Sequence, residues 1–370
     1  MYNNSKSTKF VFLILRLFKI AFSILTLTIS AKYFGVSIDM DVWIIVSTVI
    51  ATLTLSLWGP LNETFRAKFV FIREYEGEAS ALFKVRSLLL FVIIITIFVS
   101  LIVPLFSESI AIYLAPSLEN SQRKLFISIL IMMTPSFLLN ELINLGTSIL
   151  NSYNIFYIPE IMAIISGIIN LLCIVFFSQR IGIKSLIIAH YISCILLIFL
   201  IIIYIKKTGI QVFSGGMSLK WEFVKPFIYF SIPFFIPYFF AQFNNVLEKN
   251  LANSLGVGTV SIINYASQFK GIIQSVFTSV LASIMVPNLS KQFANLNNKK
   301  FEEIFNENLK FVLIVLTFLI PTIFAGASQL SNIFYNHGSI NSDSINTIIY
   351  LVRFYSISIL SVMLYLFFGF

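Results

Sequence analysis

Residues 87–106 read SLLLFVIIITIFVSLIVPLF, a stretch without a single charged side chain. A transmembrane helix needs about 20 apolar residues to cross the hydrocarbon layer of a bilayer. Of the 370 residues of the chain, 58% are hydrophobic and 11% are charged, whereas a water-soluble domain carries about 25% charged residues. The stretch is therefore expected to span a membrane, and the composition excludes a water-soluble protein.

Other apolar runs, bounded by charged residues or by Pro, Gly and Asn, extend this pattern along the whole chain. They predict an all-α, multi-pass membrane protein with about ten transmembrane helices at 10–31, 42–60, 87–106, 125–150, 159–178, 185–205, 226–247, 257–287, 311–334 and 345–370. The two long hydrophilic connections, 61–86 and 288–310, are expected to be short amphipathic or irregular surface segments. Neither has room for a soluble catalytic domain.

The distribution of lysine and arginine predicts the orientation. With the N-terminus in the cytoplasm, fifteen of the 25 basic residues fall in cytoplasmic loops and six fall in outer loops. Cytoplasmic loops carry the excess of basic residues in membrane proteins. We therefore expect a cytoplasmic N-terminus.

A weak internal repeat predicts two related lobes. The segment AKYFGV at 31–36 is similar to ANSLGV at 252–257, and proline-containing segments at Pro60 and Pro287, then at Pro104 and Pro321, follow in the same order. Such repeats are common in transporters. The predicted division is an N-terminal six-helix lobe at 1–205, a cytoplasmic linker at 206–225, and a C-terminal lobe at 226–370 with four helices. That second lobe is expected to be incomplete relative to the symmetry of the chain.

Ionisable residues inside the predicted helices are candidates for function, because each costs about 2.5–3.5 kcal/mol to insert and usually faces a cavity or a partner. Four are cations, Arg16, Lys19, Lys270 and Arg353. Arg16, Lys19 and Arg353 face a cavity or extend to the headgroups, and both alternatives stay open. A cavity of net positive charge suits an anionic substrate such as a phosphate or pyrophosphate group.

The fourth predicted helix carries a polar face with Asn140, Glu141 and Asn144. These side chains line a cavity or hydrogen-bond neighbouring helices, and both alternatives stay open. We expect Glu141 to be the counter-charge of one of the intrahelical cations. In the eighth predicted helix Gln268 lies on a polar seam, next to the stripe that carries Lys270.

Motifs of enzymes are not found in the sequence. It has no Walker loop, and its two histidines, His190 and His337, stand alone, which does not fit the spacing of metal ligands. We therefore expect no enzymatic activity, no catalytic residue, no metal and no cofactor.

The stretch LANSLGVGTVS at 251–261, followed by Asn264-Tyr265-Ala266 and by PNLS at 287–290, resembles the MurJ/MviN lipid II flippase family. This family belongs to the superfamily of multidrug, oligosaccharidyl-lipid and polysaccharide exporters. AKYFG at 31–35 with Asp41, and FYNHG at 334–338, add to the resemblance. Lys32 matches a basic position of the family, and Gln268 falls where the family has an arginine.

The resemblance implies two six-helix lobes around a cationic cavity and alternating access. It implies that an undecaprenyl-pyrophosphate-linked saccharide, such as lipid II, is carried across the bacterial cytoplasmic membrane for cell wall biogenesis. The expected partners are this lipid-linked saccharide, membrane lipids and a possible coupling ion, with no nucleic acid. The candidate substrate-binding residues are Arg16, Lys19, Lys32, Asn140, Glu141, Asn144, Gln268, Lys270 and Arg353.

Other functions remain open at this point. An O-antigen or capsule-type flippase would carry a different lipid-linked oligosaccharide. An ion-coupled drug antiporter of the same superfamily would use Glu141 as its cation site. A remnant that transports nothing would fit the expected incompleteness of the second lobe.

Overall fold

All described segments of regular structure are helices. The computed structural model describes residues 6–280, 289 and 298–369, with gaps at 213, 215, 217, 337 and 338. Twelve α-helices are named here in chain order: α1 Lys6–Phe34, α2 Ile38–Glu76, α3 Glu78–Ile102, α4 Ser107–Leu114, α5 Asn120–Met133, α6 Ser136–Ser152, α7 Tyr157–Ile181, α8 Lys184–Lys207, α9 Trp221–Ser254, α10 Thr259–Val280, α11 Asn298–Tyr335 and α12 Ser342–Gly369. A short 3-10 turn, Val103–Phe106, joins α3 to α4.

The predicted all-helical membrane fold is confirmed. Eight of the described helical segments are long and apolar enough to cross a membrane, and α5 with α6 forms a ninth span if this pair, bent by 40°, is counted as one. The predicted helix 257–287 is represented by α10, while residues 281–287 lie outside the described part of the chain, as does His337. The protein is therefore a multi-pass membrane protein.

The expectation that residues 61–86 form short or irregular surface segments is wrong. Helix α2 is 39 residues long and continues through Pro60 to Glu76. It is followed by Gly77, whose positive φ of 89° suits a glycine. At about 1.5 Å per residue α2 is about 58 Å long, whereas the hydrocarbon layer is about 30 Å thick. Residues 298–310, the described part of the other connection, are likewise helical.

The first residues of α2 explain why the helix begins where it does. The Ser37 side chain accepts a hydrogen bond from the Met40 N–H at 3.3 Å and caps the helix. Asp39 and Asp41 follow in the first turn. Carboxylates are favourable there because the helix dipole places partial positive charge at that end.

The described residues up to Val260 form one compact unit with α2 at its centre. Helix α2 packs against α9, α6, α3 and α5, and α1 packs against α7. The contact with α9 is close because Gly59 lies against the ring of Tyr238, where a Cβ would overlap the ring. Membrane helices associate through such close packing, since lipid tails are as apolar as the side chains.

The residues from Ser261 onward form a second compact unit. Its core joins α11 and α12 through Val312, Leu316, Ile359, Met363 and Phe367. The buried Tyr335 hydroxyl of α11 donates a 2.9 Å hydrogen bond to the carbonyl oxygen of Tyr265 in α10. The described helices of this unit are thus tied together by both apolar and polar contacts.

Candidate functional site: intramembrane charges and a polar latch

Arg16 and Lys19 of α1 share one carboxylate. The Nε atom of Arg16 lies 3.5 Å from Oε1 of Glu160, and Nζ of Lys19 lies 3.6 Å from Oε2 of the same residue. Glu160 is in the first turn of α7. Two cations against one carboxylate leave a net positive charge at this contact between α1 and α7.

Glu141 has a different partner from the one that the sequence suggested. Its Oε2 accepts a hydrogen bond from Nδ2 of Asn62 in α2 at 3.2 Å, and the side chain is fully buried. No ion pair joins it to a lysine or arginine of the described residues. The expectation that Glu141 is the counter-charge of an intrahelical cation is therefore wrong for the described part of the chain, because Glu160 fills that role for Arg16 and Lys19.

The two candidate asparagines of α6 lie beside Glu141. Asn144 lies three residues further along the same helix and is partly buried. Asn140 accepts a weak hydrogen bond through Oδ1 from Sγ of Cys194 in α8 at 3.5 Å, and His190 lies 3.6 Å from the same sulfur. Asn140 and Glu141 thus connect α6 to α8 and α2.

Hydrogen bonds join the end of α9 and the loop after it to other segments of the first unit. The N–H of Gly258 donates to Oδ2 of Asp41 at 2.6 Å. Oδ1 of Asn253 accepts hydrogen bonds from the Ser117 N–H at 3.1 Å and from its hydroxyl at 2.8 Å. We call these four residues the latch. Lys32, the candidate nearest to it in sequence, is exposed in the last turn of α1.

The latch brings together the two segments that the internal repeat relates to each other. A Cβ on Gly258, next to the repeat segment 252–257, would overlap the side chain of Val36, the last residue of the segment 31–36. Gly258 also has a positive φ of 88°. Glycine is therefore required here both by the backbone conformation and by the lack of space.

In the second unit, aromatic rings rather than carboxylates surround the two candidate cations. Nζ of Lys270 in α10 lies 4.9 Å from the ring centre of Tyr355. Cζ of Arg353 in α12 lies 5.7 Å from the Phe324 ring and 5.9 Å from the Tyr350 ring. Neither cation forms an ion pair with an acidic residue of the described chain.

Arg353 also has a donor nitrogen that none of the described residues binds. Its Nε is buried and has no hydrogen-bond partner among the described residues. Aromatic faces stabilise a cation without neutralising it. The ring contacts therefore leave the positive charges of Lys270 and Arg353 in place. Gln268, the remaining candidate, is exposed on α10.

Comparison with known proteins identifies the family. The sequence model of the family "Lipid II flippase MurJ" matches residues 30–369. The chain belongs to this family. One relative is the "Probable lipid II flippase MurJ" of Buchnera aphidicola subsp. Baizongia pistaciae. The two sequences are 25% identical over 262 residues, which cover 69% of this chain and 50% of that protein.

A second relative also carries the MurJ name, and two solved structures share the fold of this chain. The "Probable lipid II flippase MurJ" of Borreliella burgdorferi is 24% identical over 84% of this chain and 61% of that protein. A structure of "Lipid II flippase MurJ, inward closed conformation" shares the fold with a TM-score of 0.79 at 23% identity, covering 97% of this chain and 74% of the other. An inward-facing multidrug resistance MATE transporter has a TM-score of 0.72 at 12% identity, over 96% of this chain and 83% of that one. The chain spans about half the length of the curated MurJ relatives that it matches.

Several residues of the site were not singled out as candidates from the sequence. Asn62 is an isolated amide directly after the apolar run 42–60, and this isolation was the signal available for it. Asn253 and Gly258 lie within the motif that carries the family resemblance, but their hydrogen-bonding partners are far away in sequence. No cluster of three or more potential metal ligands occurs in the described residues.

Proposed function

We propose that this chain takes part in moving an undecaprenyl-pyrophosphate-linked saccharide, lipid II or a related cell-envelope precursor, across the bacterial cytoplasmic membrane. The proposal rests on the surroundings of Lys270 and Arg353. Both lie on apolar helices and contact aromatic rings, and the described residues offer them no carboxylate. A pyrophosphate group supplies the negative charge that would complete such sites. Membership of the MurJ family supports the same substrate class.

The saccharide itself is the least constrained part of this proposal. Lysine and arginine recognise phosphate oxygens through charge-assisted hydrogen bonds and do not distinguish one sugar from another. An O-antigen or capsule precursor carries the same pyrophosphate group as lipid II. The proposal therefore concerns the lipid pyrophosphate. Transport assays with the different precursors identify the sugar.

The latch fits a role in alternating access. We assign it to the outer side of the membrane, because it follows α1 and α9 when the N-terminus is placed in the cytoplasm on the distribution of basic residues. Asp41 and Asn253 would then hold the outer ends of the helices of the first unit together while the substrate enters from the cytoplasm. Opening toward the outside would require these hydrogen bonds to break.

Complementation tests the proposed function. A bacterial strain depleted of its own lipid II flippase is supplied with the gene for the wild-type protein or for the double variant Lys270→Gln and Arg353→Gln. We expect growth with the wild type and at least a tenfold loss of viable cells with the double variant. The charge-preserving Lys270→Arg and the control Lys310→Gln, an exposed lysine of α11, should both support growth. Equal growth with the double variant would remove the two cations from the mechanism.

A further inference from the structure

Two oxygen atoms of the Asn62 and Glu141 pair have no hydrogen-bond donor. Asn62 donates through Nδ2 to Oε2 of Glu141 at 3.2 Å. Oε1 of Glu141 and Oδ1 of Asn62 are buried, and neither has a hydrogen-bond partner in the described chain. Both atoms are hydrogen-bond acceptors. They can therefore be satisfied by a hydrogen-bond donor or by a cation, but not by another acceptor.

This arrangement is costly unless something else binds to it. A carboxyl group removed from water needs a cation, a proton or hydrogen-bond donors, and a buried group left without them calls for an explanation such as a bound ion. Polar groups of this kind inside a membrane helix are, as a rule, functional.

Several charged or titratable side chains on the helices that pack on α6 have partners other than Glu141. On α2, Glu63 accepts a hydrogen bond from Tyr238 at 3.3 Å. On α3, Arg86 donates to backbone carbonyl oxygens and Lys84 pairs with Glu76. On α8, His190 contacts Cys194. None of these side chains forms an ion pair with Glu141.

We propose that Asn62 and Glu141 form a binding site for a small monovalent cation, a sodium ion or a proton, between α2 and α6. Carboxylate and amide oxygens are suitable ligands for a hard cation, and Oε1 of Glu141 and Oδ1 of Asn62 are the two atoms available for it. Occupancy by a proton would place a hydroxyl group on Glu141 that can donate a hydrogen bond. A role of this cation in driving transport rests on the proposed function, but binding itself does not.

Fluorescence of Trp58 provides a reporter for the site. Trp58 lies one helical turn before Asn62 on α2, is buried, and donates from Nε1 to the Thr96 hydroxyl at 3.0 Å. Replacing Trp43 and Trp221 with phenylalanine leaves it as the single tryptophan. The purified chain in lipid nanodiscs is titrated with sodium chloride against choline chloride at constant ionic strength. A second titration varies the pH in sodium-free buffer.

We expect a saturable change of Trp58 emission in one of the two titrations. Glu141→Gln should weaken the apparent affinity at least tenfold, while Glu248→Gln, which removes the carboxylate of a surface ion pair, should leave it unchanged. A response to sodium assigns the site to Na⁺, and a response to pH alone assigns it to a proton. Asn62→Ala keeps the carboxylate and is expected to weaken binding as well, so it replaces Glu141→Gln if that variant does not fold.

The proposal is overturned if neither titration changes the emission, or if the responses of the wild type and of these variants coincide. The result is independent of transport. Cation binding without complementation would contradict the proposed function alone, whereas complementation without cation binding would contradict only this site.

Discussion

The N–H of Gly258 donates a 2.6 Å hydrogen bond to the carboxylate of Asp41, a residue 217 positions earlier in the chain. Asp41 is 1% exposed, so this hydrogen bond is shielded from water. The contact joins the first turn of α2 to the loop between α9 and α10. It is the strongest single polar link of the latch, because hydrogen bonds to charged groups contribute about 1.5–3 kcal/mol.

Removal of the charge at Asp41 should weaken the latch. Asp41→Asn keeps the shape of the side chain but replaces a charged acceptor with a neutral one. We expect a loss of about 1 kcal/mol of stability, which is the difference between a hydrogen bond to a charged acceptor and one to a neutral acceptor. It is measured as a lower unfolding temperature of the purified chain in detergent. Asp39→Asn is the matched control, since Asp39 is exposed in the same helical turn. Equal effects of the two variants would show that the hydrogen bond to Gly258 is unimportant.

Alanine at Gly258 should be more harmful than alanine at Gly256. Both glycines have positive φ, 88° and 122°, so alanine at either position carries backbone strain of about 1–3 kcal/mol. Only at Gly258 does the added Cβ also meet Val36, because the space around Gly256 is open. Unfolding temperatures should fall further for Gly258→Ala, and Val36→Ala should recover part of that difference. If Val36→Ala recovers nothing, the predicted overlap is wrong.

Neutralising Glu160 should leave two cations of α1 without their carboxylate. Because Arg16 and Lys19 are partly exposed, we expect Glu160→Gln to cost only about 1 kcal/mol of stability. The same substitution at Glu248, whose ion pair is with its neighbour Lys249 at the surface, should cost less. The unfolding temperatures of both variants are measured at low and at high salt. Salt should reduce the loss of stability caused by Glu160→Gln. A variant at Glu160 as stable as the wild type would show that the ion pairs contribute nothing.

Arg86 should control how firmly the segment between α8 and α9 is held. Its Nε donates to the carbonyl oxygen of Val212 at 2.9 Å and its Nη2 to that of Gln211 at 2.6 Å. Lysine cannot make both hydrogen bonds with one planar group. Arg86→Lys should therefore speed tryptic cleavage after Lys207 and Lys220 several-fold, as followed by gel electrophoresis.

The control for the Arg86→Lys variant is a second arginine-to-lysine substitution. Arg66→Lys alters an exposed arginine that contacts Asn154 at 3.3 Å, and it should leave the cleavage rate unchanged. Cleavage of Arg86→Lys at the wild-type rate would mean that other contacts hold the segment, among them the hydrogen bond from the Ser87 hydroxyl to the Ser218 carbonyl oxygen.

The positions of the helices could be predicted from the sequence, but their lengths could not. Apolar runs are visible because the bilayer imposes a minimum length on them. The sequence predicts that the second helix ends at residue 60, because proline usually disrupts a helix. In the structure the helix continues through Pro60 as far as Glu76, and the hydroxyl of Thr64 donates to the Pro60 carbonyl oxygen at 2.9 Å.

The charged residues of the site were also visible in the sequence, whereas their pairing was not. An ionisable residue in an apolar run stands out on its own. Which carboxylate meets which cation depends on how two helices are rotated and how far one is shifted along the other. Glu160 is therefore the partner of Arg16 and Lys19, although Glu141 is the more completely buried of the two carboxylates.

In the proposed function, Lys270 and Arg353 bind the pyrophosphate of a lipid-linked saccharide during its passage across the membrane. The most direct measurement is the amount of this lipid accessible from outside in cells depleted of their own flippase and supplied with the wild-type protein or the Lys270→Gln and Arg353→Gln double variant. Surface accessibility should be restored by the wild type and should fall at least tenfold with the double variant at equal protein levels. Equal accessibility with the two proteins, or none with the wild type, would contradict the account.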